Sequence, residues 1–131
     1  MLHFSDDEMA GRLHRTRAEM TLRGLDGLLL FAPESQFWLT GYDTFGFCFF
    51  QCLVVPQIGD PILLTRSADL RQAELTSNIK DIRIWKHRAG AEPAELIADF
   101  PWRGPEMAGT GNDGRADRVR RRQSGDRHAR W

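Results

Sequence analysis

The chain has 131 residues, in which 18 Lys and Arg balance 18 Asp and Glu, and this length suits one domain of about 100 to 150 residues. The balance conceals a split, because residues 1–100 hold 10 basic and 14 acidic side chains, a net −4, and residues 101–131 hold 8 Arg and 4 acids, a net +4. The acidic start Ser5-Asp6-Asp7-Glu8 argues against a signal peptide. The longest apolar stretch, residues 45–55, is well short of the roughly 20 residues of a membrane helix, so no membrane partner and a cytoplasmic location are expected.

A capping box opens the first helix. The Ser5 hydroxyl can accept from the Glu8 amide while the Glu8 carboxylate reaches back to Ser5, and Phe4 and Met9 can staple the turn. Met9, Leu13, Thr16 and Met20 then line one helical face, with Arg12, Arg15 and Glu19 toward water. Gly24 ends the helix, and Leu25 folds back in a Schellman cap.

Residues 28–32 are apolar on both faces, as in a central strand covered by helices, and a short helical turn follows that directs Phe37, Trp38 and Leu39 into the fold. Residues 47–55 read as a strong aromatic strand. The turn-rich segment Pro56-Gln57-Ile58-Gly59-Asp60-Pro61 reverses the chain into a hairpin strand over residues 62–65. A second helix is expected from Ser67, carrying Leu70, Ala73 and Leu75. A half-exposed strand follows over residues 81–85, and Pro93 suits the first turn of a third helix over residues 94–100. The expected fold class is α/β, a mixed β-sheet flanked by helices.

At Pro101 the periodicity stops. All eight Phe precede it, and Val119 is the only Val, Ile, Leu or Phe of residues 101–131. Such a stretch cannot offset its ordering entropy by apolar burial, so a disordered Arg/Gly-rich tail is expected after a domain of residues 1–100. Out-of-frame translation of GC-rich DNA near codon 100 would give this composition, and 16 Arg against 2 Lys fits such a genome.

The segment Glu34-Ser35-Gln36-Phe37-Trp38-Leu39-Thr40-Gly41-Tyr42-Asp43, entered from the apolar run ending at Phe31, resembles the amino-terminal domain of the creatinase, prolidase and aminopeptidase P family. In that family a strand leads into an Asn-x-x-Tyr-Leu-Thr-Gly-Tyr-like turn; here Gln36 stands for the usual Asn and Trp38 lies near the usual Tyr. The resemblance covers about residues 4–100.

It implies a non-catalytic domain that forms a homodimer and walls the partner subunit's active site. Tyr42, Phe47 and Phe49 would then be substrate-proximal. It also implies that the chemistry, with two divalent metals such as manganese, cobalt or zinc, belongs to a carboxy-terminal pita-bread domain encoded downstream. At 131 residues the chain has no room for that domain and reads as truncated before it. On its own it is expected to be no enzyme and to hold no cofactor. The creatine-cleaving members use an Arg from this region for the substrate carboxylate, and this chain has no Arg between Arg23 and Arg66, so creatine is disfavoured.

Other patterns carry less. Gly109-Thr110-Gly111-Asn112-Asp113-Gly114 matches the dinucleotide-binding glycines but lacks the strand and helix they need, and reads as a linker. The tail arginines could contact phosphates, but Asp113, Asp117 and Asp126 dilute them and no aromatic residue between Trp102 and Trp131 could stack on bases, so specific nucleic-acid binding is not expected. Cys48 and Cys52, four apart on an extended strand, would be separated by roughly 13 Å, too far for a disulfide, and no His stands at zinc-ligand spacing to them. Asp113, Asp117, Asp126 and His128 lie among cation-repelling arginines and offer no metal site.

Two further readings stay open: a free-standing binding or dimerisation module of the same fold, and a weak nucleic-acid binder acting through the tail. Limited proteolysis is expected to leave a stable fragment of about residues 1–100. Equal protection of the last 31 residues, read by mass spectrometry, would place the boundary elsewhere.

Overall fold

The structure is a computed structural model that describes residues 2–86, 90, 92–98 and 100. The tail, with its glycine and arginine motifs, and His87 lie outside the described residues. Helix α1 spans Asp6–Leu22. Its first turn is closed by Ser5, whose Oγ accepts the Glu8 amide at 3.2 Å. The Glu8 carboxylate takes Arg12 instead of returning to Ser5, so the box is closed in one direction only. The helix ends as expected: Gly24 is left-handed (φ 65°), and the amides of Leu25 and Gly24 donate to the carbonyls of Met20 (2.9 Å) and Thr21 (3.1 Å), the two bonds of a Schellman cap.

Strand β1, Gly27–Leu30, leads into α2, Pro33–Thr40, whose proline occupies the first turn where no amide donor is needed. Strands β2, Cys52–Pro56, and β3, Ile62–Thr65, form the expected hairpin. A 3₁₀ turn over Ser67–Asp69 runs into α3, Leu70–Thr76, then come β4, Asp81–Ile84, and α4, Pro93–Ala98. The sheet order is β1-β2-β3-β4, antiparallel except for the parallel β3–β4 pair. Alternation along the strands sorts the core. Leu53, Val55 and Leu63 face Met20, Leu39, Tyr42 and Ala73 from the helical layer of α1, α2 and α3. Cys52, Val54, Ile62 and Leu64 face Ile97 and Phe100 on the other side. The mixed sheet flanked by helices is therefore the fold.

Five expectations need correction. β1 is not central: it ends the sheet, and all four of its residues are half-buried where every residue of β2 and β3 is buried. An apolar run registers burial of both faces but not of the lateral edge. Residues 47–51 are not strand, because β3 is only four residues long and its pairing with β2 begins at Cys52↔Leu64, so the aromatic segment has no neighbour to pair with. Cys48 is consequently exposed in a turn and Cys52 is buried, and both are free thiols. Burial pushes the Cys52 thiol up to about 12, which keeps it protonated and inert. In α2, Trp38 is 46% exposed, while Gln36 and Thr40 are buried in its place. In α3, Leu75 is exposed.

The fifth correction concerns Arg12, expected toward water yet only 8% exposed. Three residues after Met9 and four before Thr16, it falls inside the buried stripe of α1. Its guanidinium donates to the Trp38 carbonyl at 2.6 Å and to the Glu8 carboxylate. It also lies over the Phe4 ring at 4.0 Å and the Trp38 ring at 5.2 Å, and Phe4 in turn meets Phe37 edge to face. One side chain thus joins α1, α2 and the segment before α1.

Arg12→Ala is expected to cost about 2–3 kcal/mol, the sum of a charge-assisted hydrogen bond and a partly desolvated cation–π contact. Glu8→Gln is expected to cost less than about 1 kcal/mol because Glu8 is half exposed. Urea midpoints of the two variants test the ranking, and an equal shift would show that the ion pair, not the contact with α2, is what matters.

Candidate functional site

The register brings one end of every strand together. Phe31 leaves β1, Gln51 enters β2, Arg66 leaves β3 and Trp85 leaves β4, all at the same side of the sheet. Over this end lies the connection from α2 to β2, residues 41–51. Gly41 starts it in the left-handed conformation (φ 79°) as the C-cap of α2, with its amide on the Phe37 carbonyl at 2.7 Å. A Cβ there would stand 2.8 Å from the Thr76 carbonyl oxygen, so only glycine permits this approach. Asp43 N–H donates to Thr76 Oγ1 at 3.1 Å, and Asn78 N–H to the Thr40 carbonyl at 3.2 Å, fastening the start of the connection to the end of α3.

Its middle is held from below by polar groups. Gln51 is buried and donates from Nε2 to the Gly46 carbonyl at 2.6 Å and to Thr44 Oγ1 at 3.3 Å. Thr44 Oγ1 also accepts the Gly46 amide at 2.9 Å, and the Phe49 amide closes a turn onto the Gly46 carbonyl at 2.9 Å. The buried Asp69 carboxylate lies so close that a Cβ on Gly46 would stand 2.9 Å from both of its oxygens. Arg66 Nε donates to Asp69 Oδ2 at 2.8 Å, and the same guanidinium stacks on the Phe49 ring at 3.5 Å. Trp85 Nε1 donates to the Phe50 carbonyl at 3.0 Å, and the Phe31, Phe50 and Trp85 rings follow one another at 6.0 and 5.9 Å.

The three residues singled out from the sequence divide. Phe47 and Phe49 are 72% and 50% exposed, and Phe45, not singled out, is 83% exposed. Tyr42 is fully buried in the core, its hydroxyl 3.3 Å from Thr65 Oγ1, and it presents no surface in this chain. Burial holds that hydroxyl above the usual phenol range, offset in part by its contacts with Thr44 and Thr65. Sequence reasoning missed the anchors Gln51, Asp69 and Gly46; the interruption of an aromatic run by glycine was the available signal.

The arrangement presents rings on a hydrogen-bonded polar support. Among the described residues no group of three His, Cys, Asp or Glu could hold a metal ion. Nor, among them, is any helix long and apolar enough to cross a membrane.

Comparison with known proteins agrees with this geometry. Residues 12–119 match the model of the Creatinase/Prolidase N-terminal domain. The chain is 40% identical to an ectoine hydrolase of Halomonas elongata over 72 residues, 55% of this chain and 18% of that protein. It is 35% identical to an uncharacterized hydrolase/peptidase of Sinorhizobium fredii over 107 residues, 76% of this chain and 27% of that protein. Among solved structures it is similar to the dipeptidase PepE of Mycobacterium ulcerans, with a TM-score of 0.58 and 26% identity over 72% of this chain and 26% of that one. The chain thus spans between a sixth and a third of the length of these relatives, at their 18%, 27% and 26%. A mixed sheet with helices on both faces, a Gln36-to-Tyr42 turn at its end and a family match over most of the chain place it in the creatinase/prolidase N-terminal domain family.

Proposed function

We propose that this chain serves as the non-catalytic N-terminal domain of a hydrolase of the creatinase and Xaa-Pro peptidase kind, mediating dimerisation and walling the active site of a partner subunit with residues 45–50. The observation that carries this reading is the exposure of Phe45, Phe47 and Phe49 on a backbone fixed by Gln51, Asp69 and Gly46. Three rings left in water on a rigid support form a patch that water disfavours and a partner surface can cover. Phe47 and Phe49 are the substrate-proximal pair, and Tyr42 supports them from the core. The catalytic metals, and any activity toward dipeptides or toward a substrate such as ectoine, belong to a carboxy-terminal domain.

Replacing Phe45 and Phe47 by Ser is expected to change stability by less than about 0.5 kcal/mol each, and Phe49→Ser by about 1 kcal/mol through loss of the Arg66 stack. The triple variant should fold, and should lose the apolar contacts between chains that the wild type makes in sedimentation at high concentration. Cooperative unfolding of the triple variant would make the rings core and end the interface reading. Purified wild type supplied with manganese, cobalt or zinc is expected not to cleave Xaa-Pro dipeptides. Turnover that follows the chain through purification would overturn its assignment as a non-catalytic domain.

A further inference from the structure

The turn between β2 and β3, at the opposite end of the sheet from the aromatic loop, holds the one Asp-Pro pair of the chain, Asp60-Pro61. This is an acid-labile type of peptide link. The Asp60 side-chain carboxyl can attack its own main-chain carbonyl carbon by closing a cyclic anhydride. The proline nitrogen, alkylated and without a hydrogen, takes a proton and leaves more readily than an ordinary amide nitrogen. Asp60 is exposed, Pro61 is half-buried and the pair lies outside both strands, so the side chain can turn and water reaches the bond. Every other Asp of the chain precedes an ordinary amide.

We propose that Asp60-Pro61 is a site of acid self-cleavage, and that the domain persists after the cut as a complex of its two halves, residues 1–60 and 61–131. In the first step an oxygen of the Asp60 carboxylate bonds to the Asp60 carbonyl carbon. The bond from that carbon to the Pro61 nitrogen breaks, and the nitrogen keeps the electron pair and the proton it took from the acid. Water then adds across the anhydride and leaves a carboxyl on each side. Asp60 ends the first half with two carboxyl groups, and Pro61 starts the second as a secondary amine.

The contacts between the halves do not pass through the severed bond. β2 and β3 fall in different halves and pair through Cys52↔Leu64, Leu53↔Leu63 and Val54↔Ile62, with every residue of both strands buried. Leu53 and Val55 of the first half share one core with Leu63 and Ala73 of the second. The Asp43 amide on Thr76 Oγ1, the Asn78 amide on the Thr40 carbonyl and Trp85 Nε1 on the Phe50 carbonyl also join the two. The severed end stays on α1, because Arg17 donates to the carbonyls of Pro56, at 3.1 Å, and Gly59, and Gln57 Nε2 donates to Thr21 Oγ1 at 2.6 Å. The same guanidinium attracts the Asp60 carboxylate, and the cut adds a second carboxylate there. Only the tether is lost. Its contribution is the effective concentration of one half about the other, so the cut domain becomes sensitive to dilution.

The test holds the full chain in warm dilute formic acid and returns it to neutral buffer. Mass spectrometry is expected to find fragments 1–60 and 61–131 accumulating together before any other cut. Asp60→Ser removes the internal nucleophile and should slow that cut by about tenfold or more. At neutral pH the halves are expected to elute as one species with the circular dichroism of the intact chain, to separate in urea, and to melt at a lower temperature on dilution where the intact chain does not. A chain that stays whole, breaks first at another Asp, or is cut as fast in Asp60→Ser overturns the cleavage site. Halves that part or precipitate at neutral pH, while Asp60→Ser carried through the same acid recovers its fold, overturn the complex. Co-expression of residues 1–60 and 61–131, which never meet acid, keeps this second reading decisive if the acid step damages both proteins: halves that fail to purify together overturn it.

Discussion

Two close approaches at glycines, of which the one at Gly41 admits glycine alone, fix what this domain can present. At Gly41 the chain leaves α2 with a Cβ-free carbon against the Thr76 carbonyl oxygen, and at Gly46 it passes the Asp69 carboxylate with the same economy of space. Any side chain at Gly41 would meet backbone at 2.8 Å, and backbone cannot swing aside. These two points and the Gln51 amide between Gly46 and Thr44 set the path of residues 41–51 before any ring is considered. The rings at 45, 47 and 49 then stand outward because the inward side is already filled by hydrogen-bonded polar groups, which would cost far more to leave unpaired than a ring costs to leave wet.

The same logic explains the turn that carries the family resemblance. Its wording reads as apolar packing, yet the buried positions are the polar ones. Gln36 donates from Nε2 to the Leu30 carbonyl at 2.9 Å, tying the end of β1 to α2. Thr40 Oγ1 donates to the Gln36 carbonyl at 2.7 Å and accepts the Tyr42 amide at 3.2 Å, which stitches the helix end to the loop. Trp38 is half exposed, and its ring and carbonyl engage Arg12. Polar residues four apart on a short helix are therefore the framework here, and the tryptophan is surface.

What was legible in the sequence was local chemistry with a defined geometry. Ser5 before an acidic first turn, Gly24 followed by Leu25, and the Pro56-to-Pro61 turn each specify a backbone path within a few residues; the last two were found as read, and the Ser5 cap in one of its two directions. The mixed sheet flanked by helices followed from their order. What was not legible depended on neighbours distant in sequence. An aromatic run has high β-propensity, but a strand needs a partner, and the length of β3 withholds one from residues 47–51. An arginine reads as solvated until the Trp38 carbonyl and the Phe4 ring, 26 and 8 residues away, are brought to it. Of the candidate site, Phe47 and Phe49 were visible as an excess of ring surface, while Gln51 and Asp69 carried no signal beyond their ordinary polarity.

The anchors and the presented rings are separate residues. The loop path is set by Gly41, Gly46, Thr44, Gln51 and Asp69, none of which needs the identity of the side chains at 45, 47 or 48. Position 49 is the exception, because its ring takes the Arg66 guanidinium that also holds Asp69. Substitution at 45 and 47 can therefore change the shape and polarity of the exposed surface without moving the backbone that carries it. At 49 a non-aromatic residue would remove the ring from the Arg66 guanidinium while leaving its bond to Asp69 at 2.8 Å. Position 49 is therefore tied to the end of β3 through Arg66 and Asp69, whereas positions 45 and 47 stand clear of the loop's anchors.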